Sequence, residues 1–379
     1  MFTLPVIGCI FVLFTFIFFP TSKYPLIPED ISNLDSITAT GNVADALSSY
    51  NVDTVTFEVP ALTSLSLPEG YQIDPSSAIP DFVTVQDNQL VVNATKSDVG
   101  SYKIYLKDPL SDLYNEIFFL NLNLIQKKVN SDSINQKVQE YLGSNLNNYG
   151  YFVYDINRDL SFGFNQDSEF RAASMVKVPI AITVLREVQE GRWSLDSVYP
   201  LRSNLIFNYA VGAGENLVGT PLTVRDYLTY MITQSDNTSL SHLDTLLGET
   251  YGSNLNQRIK DITGVDFYVN PPESTPRNVA TVLKGLYSYS FLDKTYSDYL
   301  IDLMKNALPD LKQGLALGLP QEIEFANKIG FLYTTEDLSY MDSAIIYGTS
   351  TDYVLVVMNK NQDWEIAKNN LKNISTIIY

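Results

Sequence analysis

The sequence predicts an all-β module over residues 37–126, followed by an α+β domain over residues 129–379. In the second part, strands from both ends form one antiparallel sheet. Three observations predict this. Between about Ile37 and Ile125 apolar residues recur with a period of two, the mark of half-buried strands. From about Val129 the spacing becomes helical. Strand-like runs then return only after Ile323, so strands flank a mainly helical middle.

Composition narrows the function. The 379 residues carry 25 Lys and Arg against 43 Asp and Glu, a net charge of −18, which argues against nucleic acid as a partner because phosphates need a basic face. One His and one Cys leave no donor set for a zinc or thiolate site, so neither metal nor cofactor is expected. His242, within Ser241-His242-Leu243-Asp244, reads as a packed or surface residue rather than a catalyst.

Leu4 to Phe19 is almost unbroken apolar sequence without a charge, nearly long enough to cross a bilayer. It lacks a positive leading region and a small-residue cleavage site, so residues 1–22 read as a membrane anchor in preference to a signal peptide. The expectation is a catalytic domain outside the cytoplasm. Residues 23–36, with prolines and acids, read as a linker.

In the β-module, Val55, Phe57 and Val59 alternate with polar residues, as do Phe118, Leu120, Leu122 and Leu124 with Phe119, Asn121 and Asn123. Pro68-Glu69-Gly70, Asp87-Asn88 and Asp108-Pro109 divide the strands. Asp98-Val99-Gly100-Ser101-Tyr102 resembles the turn and Tyr that enter a late strand of immunoglobulin-like sandwiches, with Ile104 where such domains often carry Cys. The module holds no cluster of catalytic residue types and reads as a spacer.

Beyond Val129, Ile134, Val138, Tyr141 and Leu142 have helical spacing. Tyr151–Tyr154 and Leu160–Phe164 flank Asn157-Arg158-Asp159 as a hairpin. A helix runs from Ser174 to near Gly191, and Thr223 with Asp226 forms a capping box for another. Strand-like runs follow at 323–328, 343–347 and 353–357, and a helix from about Trp364 to Ile378 closes the chain.

Three stretches carry chemistry. In Ser174-Met175-Val176-Lys177 one helical turn places the Lys amine beside the Ser hydroxyl. A hydroxyl becomes a good nucleophile when a neighbour takes its proton, and a desolvated Lys can be that neighbour. Ser235-Asp236-Asn237 is turn chemistry on its own, and Lys328-Ile329-Gly330 at the end of a predicted strand is weak on its own. Together and in this order they resemble the Ser-x-x-Lys, Ser-Asp-Asn and Lys-Thr-Gly set of the penicillin-recognising serine enzymes, nearest to class A β-lactamases. The likeness extends through 170–191, 222–248 and Thr275-Pro276-Arg277-Asn278.

The resemblance implies that Ser174 attacks an amide carbonyl and Lys177 accepts its proton. It implies that Ser235 relays a proton to the leaving nitrogen, that Asn237 holds the substrate's amide side chain, and that Lys328 binds its carboxylate. Gly330 belongs to the same substrate strand, and the amides of Ser174 and Phe331 form the oxyanion hole. The implied partner is a β-lactam or a peptidoglycan-like small substrate. Two departures stand out. Ile329 replaces the family's Thr, and only 39 positions separate Asn237 from Pro276, with no Glu-x-x-x-Asn element for a deacylating water. Glu273 is the nearest carboxylate, and its place before Thr275-Pro276 suits a helix N-terminal role better than that of a base. The leading expectation is therefore a serine hydrolase of slow deacylation. A cell-wall D,D-peptidase or penicillin-binding protein stays open, as does a non-catalytic wall-binding protein on the same fold.

Overall fold

The structure is a computed structural model that describes residues 54–67, 71–75, 77–107, 117–207, 211–269, 271–334 and 338–379. The apolar run at Leu4–Phe19, the linker and the turns at Pro68-Glu69-Gly70 and Asp108-Pro109 lie outside the described residues. Among the described residues no helix is long and apolar enough to cross a membrane.

The first unit has strands β1 (Thr54–Val59), β2 (Ala61–Ser66), β3 (Gln72–Ile73), β4 (Val83–Gln86), β5 (Gln89–Ala94), β6 (Gly100–Lys107) and β7 (Ile117–Gln126). They form two sheets, β1-β7-β6-β3 and β2-β5-β4, with β1 parallel to β7. Phe57, Val59, Leu65, Leu90, Val92, Ile104, Leu120, Leu122 and Leu124 fill the core between them. The alternation decides this: in β6, Ile104 and Leu106 are buried while Lys103, Tyr105 and Lys107 face water. Asp87 and Asn88 turn β4 into β5 with φ of 46° and 63°, the left-handed pair that a two-residue hairpin needs and that Asp and Asn tolerate. The Tyr102 hydroxyl donates to the Asp98 carbonyl at 2.9 Å.

The second unit centres on a five-stranded antiparallel sheet in the order β15 (Glu324–Tyr333), β16 (Leu338–Tyr347), β17 (Asp352–Asn359), β8 (Tyr149–Asp155) and β9 (Leu160–Phe164). Its strands come from the unit's two ends, as the sequence predicts, while β11 (Val198–Pro200) and β12 (Pro221–Thr223) pair separately within the helical stretch. Helices α1 (Ser131–Leu142) and α8 (Trp364–Ile378) cover one face through Val138, Leu142, Ala367, Leu371 and Ile374. The other face carries α2 (Lys177–Gln189), α3 (Val224–Thr233), α4 (Asn237–Tyr251), α5 (Leu255–Thr263), α6 (Pro276–Tyr287) and α7 (Lys294–Lys305). β17 is buried on both faces, which is why Tyr353–Met358 reads as an unbroken apolar run. α2 is apolar nearly all round, with Ile180, Ala181, Ile182, Val184 and Leu185 fully buried, so it runs through the centre of the helical layer. Each buried Ile, Val or Leu there contributes about 1.5–3 kcal/mol.

The strands after 323 are longer than their sequence patterns: β15 continues through Tyr333, so Lys328 lies mid-strand and not at a strand end. The units touch where Lys96 Nζ donates to Asp352 Oδ1 at 2.5 Å and to the Gly348 carbonyl at 2.6 Å. The Tyr287 hydroxyl holds the other Asp352 oxygen at 2.8 Å.

Candidate active site

The approach to Ser174 is a short strand, β10 (Phe170–Arg171), paired with β14 (Pro272–Ser274), which pairs in turn with β13 (Tyr268–Val269). The Ala172 amide donates to the Pro272 carbonyl at 2.7 Å. Ala173 then turns the chain with φ of 45°, a conformation that costs a non-glycine residue about 1–3 kcal/mol and survives only where its surroundings fix it. A 3-10 turn over Ala173–Val176 carries Ser174, and α2 begins at Lys177. The sequence places Ser174 on the α-helix itself. The 3-10 turn serves the pairing as well, because positions i and i+3 eclipse there. Ser174 is half-buried between buried neighbours, so its hydroxyl stays reachable.

Lys177 is fully buried. Its Nζ lies 2.9 Å from Ser174 Oγ, 2.5 Å from the Ser235 carbonyl and 2.7 Å from Asn237 Oδ1. Burial, and then the charge of Lys328, hold its amine well below the usual lysine range, and Asp236 opposes them. A neutral amine has two N–H bonds and one lone pair. The Ser235 carbonyl and Asn237 Oδ1 can only accept, so they take the two hydrogens. The lone pair is left for the Ser174 hydroxyl.

Ser235 ends α3 and enters α4 with φ of 55°. Asp236 caps α4, accepting from the amides of Thr238 at 3.0 Å and Ser239 at 2.8 Å. It also accepts from the Ala213 amide at 3.3 Å. The middle residue of Ser-Asp-Asn is thus the turn-former that fixes the other two. Ser235 Oγ sits between two amines, 3.2 Å from Lys177 Nζ and 2.8 Å from Lys328 Nζ, a path for a proton.

Lys328 projects from β15 and is buried; burial lowers its amine to about 7, against the opposing pull of Asp342. Asp342, on β16 opposite Ile329, is fully buried and pushed up to about 7 by desolvation. It accepts from Asn327 Nδ2 at 3.1 Å and from the Leu315 amide at 3.1 Å. No motif marks Asp342, and only the strand register sets it next to Ser343, the cross-strand partner of Lys328.

Gly330 has a packing reason. A Cβ there would stand 2.8 Å from the Ala172 carbonyl oxygen and 3.3 Å from Ala173 Cβ. β15 is an edge strand and lies directly against the Ser174 turn. Phe331, the next residue, is 43% exposed and meets the Trp364 ring edge-on at 5.4 Å. Ile329 faces the layer under α1 and α8, so no side-chain hydroxyl stands at the family's Thr position. Glu273 is a strand residue of β14, in register with Arg171 and Tyr268, and Thr275 is the cap of α6. The expected N-terminal role of Glu273 is therefore replaced by a place in the small sheet that braces the strand before Ser174. Segments of two or three residues carry no readable period, so the sequence could not show this sheet.

His242 is packed: its Nε2 accepts from the Arg202 amide at 2.9 Å, Nδ1 faces the Thr238 carbonyl at 2.9 Å, and the ring stacks on Tyr227 at 4.9 Å. Among the described residues no group of His, Cys, Asp and Glu could hold a metal.

The profile of the Beta-lactamase enzyme family matches residues 133–379. The chain belongs to that family. The β-lactamase VEB-1 of Pseudomonas aeruginosa is 25% identical over 133 residues, which is 35% of this chain and 44% of VEB-1. Solved β-lactamase folds superpose on the second unit. The β-lactamase of Chitinophaga pinensis DSM 2588 gives a TM-score of 0.59 at 24% identity, covering 65% of this chain and 98% of its own. PBP-A gives 0.60 at 21% identity, covering 67% of this chain and 97% of its own. The α+β β-lactamase fold is thereby established for the second unit.

Proposed function

We propose that this protein is a serine hydrolase acylated at Ser174 by a β-lactam or a related amide. The observation that carries the reading is the buried Lys177 amine, whose lone pair is directed to Ser174 by two acceptor-only neighbours. Ser174 Oγ bonds to the carbonyl carbon and its proton passes to Lys177 Nζ. The oxyanion forms between the Ser174 and Phe331 amides. The carbon–nitrogen bond then breaks, and the nitrogen takes a proton through the Ser235 hydroxyl, which both amines flank. Protonated Lys328 binds the substrate carboxylate, unaided by a hydroxyl at Ile329, and Asn237 binds the amide side chain.

Deacylation is slow in this reading. The span between Asn237 and Pro276 is taken up by α4, α5 and the β13–β14 hairpin, with Glu273 held in strand pairing. That favours a penicillin-binding protein as the second reading. A PBP-A mutant at 23% identity has itself been solved as an acyl-enzyme complex with penicillin G. Mass spectrometry after mixing with penicillin G tests both readings. A stable adduct on Ser174 and a burst of one product per enzyme are expected, lost in Ser174→Ala. Fast steady-state hydrolysis without a burst overturns slow deacylation, and an adduct surviving in Ser174→Ala removes Ser174 from the mechanism. The absence of both adduct and hydrolysis favours the non-catalytic wall binder.

The apolar run Leu4–Phe19 supports a membrane-anchored protein with residues 129–379 outside the cytoplasm. The Tyr102–Asp98 hydrogen bond supports an immunoglobulin-like module ahead of it. Protease protection in vesicles tests the first point.

A further inference from the structure

The chain holds one histidine, and it stands buried on α4, one turn after Thr238. Three acceptors at the start of this helix hold three backbone amides of the chain before it. His242 Nε2 accepts from Arg202 at 2.9 Å, Thr238 Oγ1 from Phe207 at 3.2 Å, and the Asp236 carboxylate from Ala213 at 3.3 Å. Positions 238 and 242 share a helix face, so they take the two ends of segment 202–207 together. Asp236 and Thr238 flank Asn237 in the chain, so the held segment lies against the neighbours of the residue that binds the substrate's amide side chain in the proposed acylation.

The bonds of His242 fix its protonation. An amide N–H can only donate and a carbonyl can only accept, so Nε2 carries the lone pair and Nδ1 the hydrogen, given to the Thr238 carbonyl at 2.9 Å. A second proton, on Nε2, would set two donors against each other and leave the Arg202 amide unpaired. Three elements face the ring. Tyr227 of α3 stacks on it at 4.9 Å, its hydroxyl donating to the Tyr199 carbonyl. Arg202 pairs its guanidinium with Glu249 of α4 at 2.8 Å, and Asp236 lies at the start of α4. Burial holds the imidazole below the ordinary 6.5; the Thr238 carbonyl opposes this, Arg202 adds to it and Asp236 opposes it.

We propose that His242 is a positioning residue for acylation: neutral, it clamps segment 202–207 to α4 beside Asn237, and protonated, it lets the segment go. The kinetic consequence rests on the acylation reading, and the release rests on the hydrogen bonds alone. α4 keeps its own cap at Asp236, so Asn237 stays against Lys177 while the segment beside it loosens. Acid release therefore weakens substrate binding and leaves the chemical step to the two lysines.

The imidazole of the untagged full chain gives one set of NMR signals, because no second histidine exists. The Nδ1–H tautomer is expected at neutral pH, with a single titration whose midpoint lies below 6.5. His242→Gln keeps an acceptor for Arg202 and does not titrate. At one pH below the midpoint, amide hydrogen exchange over 202–207 should be at least about tenfold faster in the wild type than in His242→Gln. In stopped-flow labelling, the half-saturating concentration of penicillin G should rise about fivefold or more as the wild type crosses the midpoint. It should stay level in His242→Gln and be raised at every pH in His242→Ala, with one pH profile of the limiting rate for all three. An Nε2–H tautomer, a midpoint at or above 6.5, exchange no faster in the wild type than in His242→Gln, or half-saturation that does not follow the imidazole overturns the proposal. A wild type that penicillin G does not label fails the acylation reading instead, and the exchange contrast then decides the clamp.

Discussion

The β-module and the catalytic domain use the same period-two strands and place their polar groups differently. In the module, among the described residues, the fully buried side chains are apolar, and the non-glycine residues of positive φ are Asp87 and Asn88 at a hairpin. In the catalytic domain Lys177, Lys328, Asp236, Asp342 and Glu187 are buried, and Ala173 and Ser235 bear positive φ beside the reactive groups. Buried charge and strained backbone both oppose folding. Around Ser174 they surround a lysine whose amine burial holds well below the usual range. Glu187 is buried for structure, tied by Arg192, by Arg258 at 3.0 Å and by the Tyr251 hydroxyl at 2.6 Å, and Asp155 and Asp352 are likewise buried and paired, so burial of a charge alone marks no chemistry.

Five substitutions sharpen this contrast. The largest effect is expected from Lys177→Met, which should slow acylation about 10²–10⁴-fold by stopped-flow labelling, the usual contribution of a positioned base. Lys107→Met on the exposed face of β6 should leave labelling unchanged and stability within about 0.5 kcal/mol. Equal effects of the two would erase the distinction between the units. Leu122→Ala should destabilise the module by about 2–5 kcal/mol in a denaturant melt, with the rate of Ser174 labelling intact.

Asp342→Asn reads the buried pair through pH. Asp342 holds its proton up to about 7 in the folded state against an ordinary 3.8, so the folded protein binds more protons than the unfolded chain across that window. Stability from this group therefore falls as pH rises from about 4 to 7, and Asn should flatten that slope in urea melts. Loss of the negative charge also lowers the Lys328 amine below its present value of about 7, so the alkaline limb of acylation should move to lower pH. A limb that stays in place would show that Lys328 does not sense Asp342. A small effect is also expected from Lys96→Met. Losing the part-exposed pair with Asp352 should cost about 1 kcal/mol or less, seen as faster proteolysis at residues 127–130.

The sequence by itself determined whatever is encoded within a turn or a strand. The Thr223–Asp226 capping box, the Thr275 cap with Pro276, the alternation of β6 and β7, and the last helix at Trp364–Ile378 all follow from neighbours a few residues apart. The three motif stretches stand out because each is a fixed short spacing of polar groups, and in the structure hydrogen bonds link Lys177 to Ser174, Ser235 and Asn237, and Ser235 to Lys328. Tertiary structure alone decided the rest. It set the 3-10 turn under Ser174, the hairpin that holds Glu273, the place of Lys328 in mid-strand, and Asp342 opposite Ile329 on the next strand. Each of these depends on which distant segments exclude water from one another, and desolvation is a property of the packed neighbourhood, not of the residue that feels it.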